Sequence, residues 1–260
     1  MNRAVFLCTL IVKFRSISAI ISLASLIFGL PIFFAYIIGS APGVELMYDA
    51  LSPMISGPML PMFLAYYLVS DTVANSKSFS QGEYLSLLFS RPLSRFSYVI
   101  SKWLAGSIGV SICILLMTLT FELSLKAMGH DIQILEPYAI LSIILNSFSF
   151  TSLVVLIYSF PSKVGLTLFL IIIYASMIGQ TLTSTYTSID NPFASGFYGT
   201  LNWIFEFLRS FVFPSIDIYE LTNSIKPQWS QVFTYFSDMV AYLLLATLVL
   251  NQREFFYATE

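Results

Sequence analysis

Charge is what this sequence has least of. Its 260 residues include 12 lysines and arginines and 14 aspartates and glutamates, so only 10% of the chain is charged. Soluble domains carry about 25%. So few charged side chains, spread unevenly, cannot cover the surface of a water-soluble fold of this size. The formal net charge of −2 offers no bulk attraction to nucleic acid. A single histidine, His130, excludes a paired-histidine metal motif and reads as an exposed loop residue. Two cysteines, Cys8 and Cys113, give no disulfide framework and read as reduced bystanders. There is no G-x-x-x-x-G-K-S/T phosphate loop, so this chain is not itself an ATPase. No cleavable signal is evident. The first apolar run is long, Pro42 follows the patch Gly39-Ser40-Ala41, and the first span reads as a retained signal anchor.

What the sequence has instead is apolar length. Hydrophobic residues make up 57% of it, and the mean hydropathy is +0.82. A bilayer core about 30 Å thick needs about 20 apolar residues in a helix. Six runs are expected to span: 17–38, 54–70, 103–125, 139–159, 164–186 and 232–250. The second is short and carries Gly57, Pro58 and Pro61, so a distorted start is expected there. The fold class is therefore an all-α polytopic membrane protein forming one domain over 1–260. Six spans put both termini on one side, and the excess of Lys and Arg decides which. With the N-terminus inside, Arg3, Lys13, Arg15, Lys77, Arg91, Arg95, Lys102, Lys163 and Arg253 are cytoplasmic, leaving Lys126, Arg209 and Lys226 outside.

Three other segments have a character of their own. Residues 1–16 read as an amphipathic interface helix, with Arg3, Lys13 and Arg15 toward headgroups and Val5, Phe6, Leu10 and Ile11 sunk in the membrane. Residues 71–102 begin polar, pass through the short apolar patch YLSLLF, and break at RPLSR before FSYVISKWLAG starts the third span. Residues 188–231 contain LNWIFEFLRSFVF, an aromatic run interrupted by Glu206 and Arg209. At about 20 Å as a helix it suits an interfacial or re-entrant piece.

Asp71, Gly82, Leu87, Leu88, Ser90, Pro92, Ser94, Arg95 and Lys102, taken with the six-span layout, resemble the membrane subunits of ABC-2 type ABC transporters. The chain departs from that pattern at Ser76, Lys77 and Ser78, where acidic residues are usual, and at Ser101 in place of a glycine before Lys102. The resemblance implies an exporter of two membrane subunits, as homo- or heterodimer, and two separate ATPase subunits that bind ATP and magnesium. This chain itself would carry no cofactor. The resemblance implies a coupling helix within 71–102, with Gln81, Gly82, Glu83, Tyr84, Leu87, Arg91, Pro92 and Arg95 as the residues that meet the ATPase. Arg91 and Arg95 suit acidic groups on that partner or lipid phosphates. Localisation in the plasma or inner membrane goes with it. Apolar spans favour hydrophobic, amphipathic or peptide-like cargo.

Ionisable and polar residues within spans are candidates for a pathway. Glu122 precedes Lys126 by four residues, so an interfacial ion pair competes with a pathway role. Asp238 falls in the first turns of the last span, facing either a cavity or headgroups. Asn146, Ser149 and Ser152, and separately Gln180, suit helix packing as well as a substrate path. Three rivals stand beside the transporter reading. An intramembrane protease lacks the histidines or paired aspartates it needs. A secondary transporter or channel predicts repeats or several buried charges. A non-transporting scaffold coupled to an ATPase fits the same residues.

Overall fold

The computed structural model describes residues 3–11, 17–39, 59–70, 94–130, 136–161, 164–174, 196–197, 199–201, 203, 216, 218–223 and 229–257. Among these there is no strand; the architecture is all helical. The elements are α1 (Arg3–Ile11), α2 (Ile17–Ala24), a π-helical turn Ser25–Gly29, and α3 (Leu30–Gly39). There follow α4 (Met59–Val69), α5 (Arg95–Ala127), α6 (Pro137–Ser159), α7 (Val164–Tyr174), α8 (Ile218–Asn223) and α9 (Trp229–Tyr257). Among the described residues, four stretches are helical, long and apolar enough to cross a membrane: Ile20–Ile37, Arg95–Ala127, Pro137–Ser159 and Trp229–Gln252. They fall on the first, third, fourth and sixth expected spans. Leu60–Val69 and Val164–Tyr174 are shorter apolar helices within the second and fifth.

Helix α5 starts eight residues before the expected Trp103, and the reason is local. Ser94 is extended (φ −66°, ψ 132°) and its hydroxyl accepts from the Ser97 amide at 3.3 Å, an N-cap that satisfies one of the orphan donors of the first turn. At its far end Gly129 takes φ 92°, a left-handed conformation that glycine adopts without steric cost. Its amide bonds the Lys126 carbonyl at 3.0 Å, closing the helix. The 33 residues of α5 reach about 50 Å, more than a bilayer core requires. Helix α6 is opened by Pro137 at its first turn and closed before Phe160-Pro161.

The core lies where α4, α5, α6 and α9 meet. Met62, Val69, Val99, Val110, Met117, Val154 and Ala246 are all at most 1% exposed there. Gly106 is what lets three of these helices close together. A Cβ on it would stand 2.8 Å from Thr151 Cγ2 and 2.9 Å from Val69 Cγ2. Phe169 of α7 stacks on Tyr66 of α4 with ring centroids 4.4 Å apart. The buried polar residues of α5 keep their hydroxyls within the helix: Ser101, Ser107 and Ser111 each bond the carbonyl four residues back. Helix α1 packs against α5, with Val5 and Thr9 buried. It is therefore held by protein as well as suited to an interface. The side chains of Leu10 and Ile11 lie outside the described residues.

Named contacts fix the relative directions. Lys102 lies against Tyr158 and Gly106 against Thr151, so α5 and α6 run antiparallel. Arg95, first in α5, meets Asn251 near the end of α9. Tyr235, near the start of α9, meets Leu145 in the first half of α6. Helices α6 and α9 thus run in the same direction, and α4, α6 and α9 all end beside the start of α5.

Candidate functional site

That shared end gathers the charged residues the sequence singles out near the third span. Lys102 is 2% exposed. Its ammonium donates to the Val69 carbonyl at 3.2 Å and lies over the rings of Tyr158, 4.1 Å from the centroid, and Tyr98, 5.1 Å away. Val69 is the last residue of α4, and its carbonyl has no partner inside the helix. A cation is the natural cap there. A hydrogen bond from a charged donor is worth about 1.5–3 kcal/mol, and a desolvated cation–π contact adds ~1–2 kcal/mol. Together these offset the loss of water around a buried ammonium. Trp103, next in sequence, donates its indole N–H to the Phe148 carbonyl at 2.9 Å and packs edge-on against the Phe148 ring.

Arg95 is half-buried and donates through Nη1 to Asn251, at 2.8 Å to Oδ1 and 3.4 Å to the carbonyl. One face of the first two turns of α5 therefore grips the ends of α4, α6 and α9. Of the residues expected to meet an ATPase, Arg95 is the one described. Gln81, Gly82, Glu83, Tyr84, Leu87, Arg91 and Pro92 lie outside the described residues, as does Asp71. The segment that holds them leaves α4 after Ser70 and returns at Ser94. Lys102 links the helices on either side of it.

The polar residues within the spans separate into different kinds. Asn146 accepts from the Ile216 amide at 3.0 Å, and Ser142, one turn earlier, accepts from Ile218 at 3.4 Å. These side chains pin the segment leading into α8 onto α6. Tyr235 donates to the Leu145 carbonyl at 2.5 Å in the same place, over a small cluster of Ile216, Ile218 and Tyr235. Ser152 bonds the Ser149 carbonyl at 2.6 Å. Asn146 thus serves packing of the segment leading into α8, one of the two roles its sequence allows.

Asp238 lies in the third turn of α9, since the helix begins at Trp229, and is 9% exposed. Its side chain is buried against the bundle. Its Oδ2 and the hydroxyl of Ser149 on α6 are buried without a hydrogen-bond partner among the described residues. Glu122 is buried at 7% while Lys126 is exposed. Gln180 lies outside the described residues. His130, expected as an exposed loop residue, is half-buried, with its amide bonded to the Leu125 carbonyl and Nε2 buried without a partner among the described residues. Cys113 is a free, buried thiol. No cluster of three or more potential metal ligands occurs among the described residues.

Sequence reasoning missed Tyr98, Asn251, Tyr158 and Ser142. Tyr98 stands four residues before Lys102 on one helix face, the spacing that could have found it. The other three are remote in sequence from the groups they meet. No protein-family model matches this sequence, and comparison with the curated proteins finds no match.

Proposed function

We propose that this chain is the membrane-spanning subunit of an ABC-2 type exporter, coupled through residues 71–93 to a separate ATPase that binds ATP and magnesium. The observation that carries the reading is the Lys102–Val69 contact. It ties the helix before the motif-bearing segment to the helix after it, at the end where α6 and α9 also terminate. A coupling element needs a firm link to several spans, and the first two turns of α5 supply it.

The six-span layout is part of the proposal. Helices α6 and α9 run in the same direction, so a chain that enters α9 after leaving α6 must recross the bundle between them. The apolar helix Val164–Tyr174 is where that crossing would begin. Exposed apolar side chains on α3, α7 and α9, such as Phe33, Leu170 and Phe233, suit lipid or a second membrane subunit. The excess of Lys and Arg at the shared end of the bundle supports a cytoplasmic location for it, in a plasma or inner membrane. The cargo would be hydrophobic, amphipathic or peptide-like, and the two membrane subunits a homo- or heterodimer.

The test is purification of the tagged full-length chain from its native membranes in mild detergent, with mass spectrometry of what accompanies it. The reading expects a soluble ATPase at near-equal stoichiometry. Recovery of the chain alone, even after crosslinking, would contradict it.

A further inference from the structure

Helix α9 packs mainly along α6, through one stripe. Tyr235, Asp238, Tyr242, Ala246 and Leu250 are buried on it, while Phe236, Val240 and Leu244 between them are exposed. The buried positions recur at helical spacing, so Asp238 belongs to the packed face. The Tyr235–Leu145 contact sets the register, because the two helices run in the same direction. Asp238 follows Tyr235 by three residues, and Ser149 follows Leu145 by four, so the two come to one level. Both are almost wholly buried, Ser149 at 1% exposed and Asp238 at 9%.

The Ser149 hydroxyl is spare for a local reason. A buried serine in a helix can bond the carbonyl four residues back, as Ser107, Ser111 and Ser147 do here. For Ser149 that carbonyl belongs to Leu145. It already accepts from the Ser149 amide in the helix ladder and from the Tyr235 hydroxyl at 2.5 Å. A carbonyl oxygen has two lone pairs, so both places are taken. Tyr235 thus leaves Ser149 for a group on α9, and Asp238 is the acidic side chain at its level.

The described side chains offer Asp238 no cation. Lys102 is engaged beside Tyr158, nine residues along α6 from Ser149, about 13 Å. Arg95 and Lys126 stand in the first and last turns of α5. The other titratable side chains described on α5 and α6 are Tyr98, Cys113, Glu122, Tyr138 and Tyr158, none of them cationic. On α9 the phenols of Tyr235 and Tyr242 flank Asp238, and Arg253 and Glu254 come about four turns later. The side chains of Tyr219 and Glu220 on α8 lie outside the described residues. A carboxylate there would take one bond from Ser149, against the several that a desolvated charge needs. A carboxylic acid is neutral, and its O–H finds the serine oxygen. A hard metal cation takes about six oxygens, and no cluster of three or more metal-binding side chains occurs among the described residues.

We propose that Asp238 and Ser149 form a proton-binding site between α6 and α9, in which the protonated carboxyl donates a hydrogen bond to the serine oxygen. The proton comes from water and returns to it, and its release leaves a carboxylate in the packed stripe. The α6–α9 contact is therefore neutral when the site is loaded and charged when it is not. The site is built from α6 and α9 alone and does not depend on coupling to an ATPase.

The test is infrared spectroscopy of the full chain at neutral pH, in vesicles of ether-linked lipid, which has no ester carbonyl. A protonated carboxyl has a carbonyl stretch separate from those of a carboxylate and of the backbone. Such a band is expected in the wild type, moved by carbon-13 labelling of aspartate and unmoved by labelling of glutamate. Asp238→Asn is expected to abolish it and Glu122→Gln to leave it. Should Asp238→Asn not insert, Asp238→Glu decides, by moving the band's sensitivity from the aspartate label to the glutamate label. Ser149→Ala is expected to raise its frequency, because the hydrogen bond made by the carboxyl is lost. Tyr235→Phe is expected to raise it likewise, since Ser149 can then turn to Leu145. Absence of an aspartate-dependent band in the wild type, or its survival in Asp238→Asn, would overturn the site. A band unmoved by Ser149→Ala would overturn the pairing. A band that vanishes when sodium replaces choline at fixed pH would make the ligand a metal cation and overturn the proton assignment.

Discussion

The Lys102 ammonium stands 3.2 Å from the carbonyl oxygen of Val69, 33 residues earlier in the chain. That contact closes the end of α4 with a charge carried by α5. It converts two helices separated by a long polar segment into one body. Removing it leaves the Val69 carbonyl without its cationic donor and takes the ammonium from the faces of two tyrosine rings. Lys102→Ala is expected to cost about 2–4 kcal/mol, from a lost charged hydrogen bond and the cation–π contacts. Lys102→Met keeps the apolar stem and is expected to cost less. Thermal unfolding in mild detergent checks the order; equal midpoints for wild type and Lys102→Ala would contradict it.

Gly106 is a packing requirement. Gly106→Ala gains about 1 kcal/mol of helix propensity but drives a methyl toward Thr151 Cγ2 and Val69 Cγ2. Overpacking of this kind costs ~1–3 kcal/mol. The expected net effect is a loss of stability that Thr151→Ser, which deletes the facing methyl, partly restores. A double-mutant cycle measures it. Purely additive effects would mean the two side chains do not share the space.

Asn146 holds a backbone amide of the segment leading into α8. Asn146→Leu leaves the Ile216 N–H without its acceptor. The expected cost is about 1–3 kcal/mol, confined locally. Hydrogen exchange should accelerate at Ile216 and Ile218 and stay unchanged in α5. Acceleration throughout the bundle would assign Asn146 to the core instead.

Asp238 brings a buried carboxylate oxygen with no hydrogen-bond partner among the described residues. Asp238→Asn has nearly the same shape and no charge to desolvate. The thermal midpoint is expected to stay level or rise. A clear fall would contradict the account, since it would mean the charge is compensated in the folded chain.

Much of the fold was legible because membrane helices announce themselves by length. Among the described residues, four long apolar helices coincide with expected spans, since a helix satisfies all its backbone groups within one segment in lipid. Helix α5 began early because a capping serine outweighs the polar character of the turn that follows it. Asp238, which the sequence leaves open between a cavity and headgroups, is 9% exposed on a helix that extends back to Trp229. The candidate site was less legible. Sequence marked Arg95 and Lys102 as cations at a span's foot, but the groups they meet include Asn251, Tyr158 and the Val69 carbonyl. Neutral residues and backbone groups far along the chain leave no charge pattern to read. Arg95, expected toward an outside partner, meets Asn251 of α9 within the bundle.

The most direct test of the central claim is site-specific photo-crosslinking in native membranes, with a photoreactive residue placed at Glu83 and separately at Ser90. The account predicts adducts with a soluble ATPase from these positions and none from Gly129, at the opposite end of α5. Adducts with lipid alone at Glu83 and Ser90, in a chain that is inserted and abundant, would contradict it.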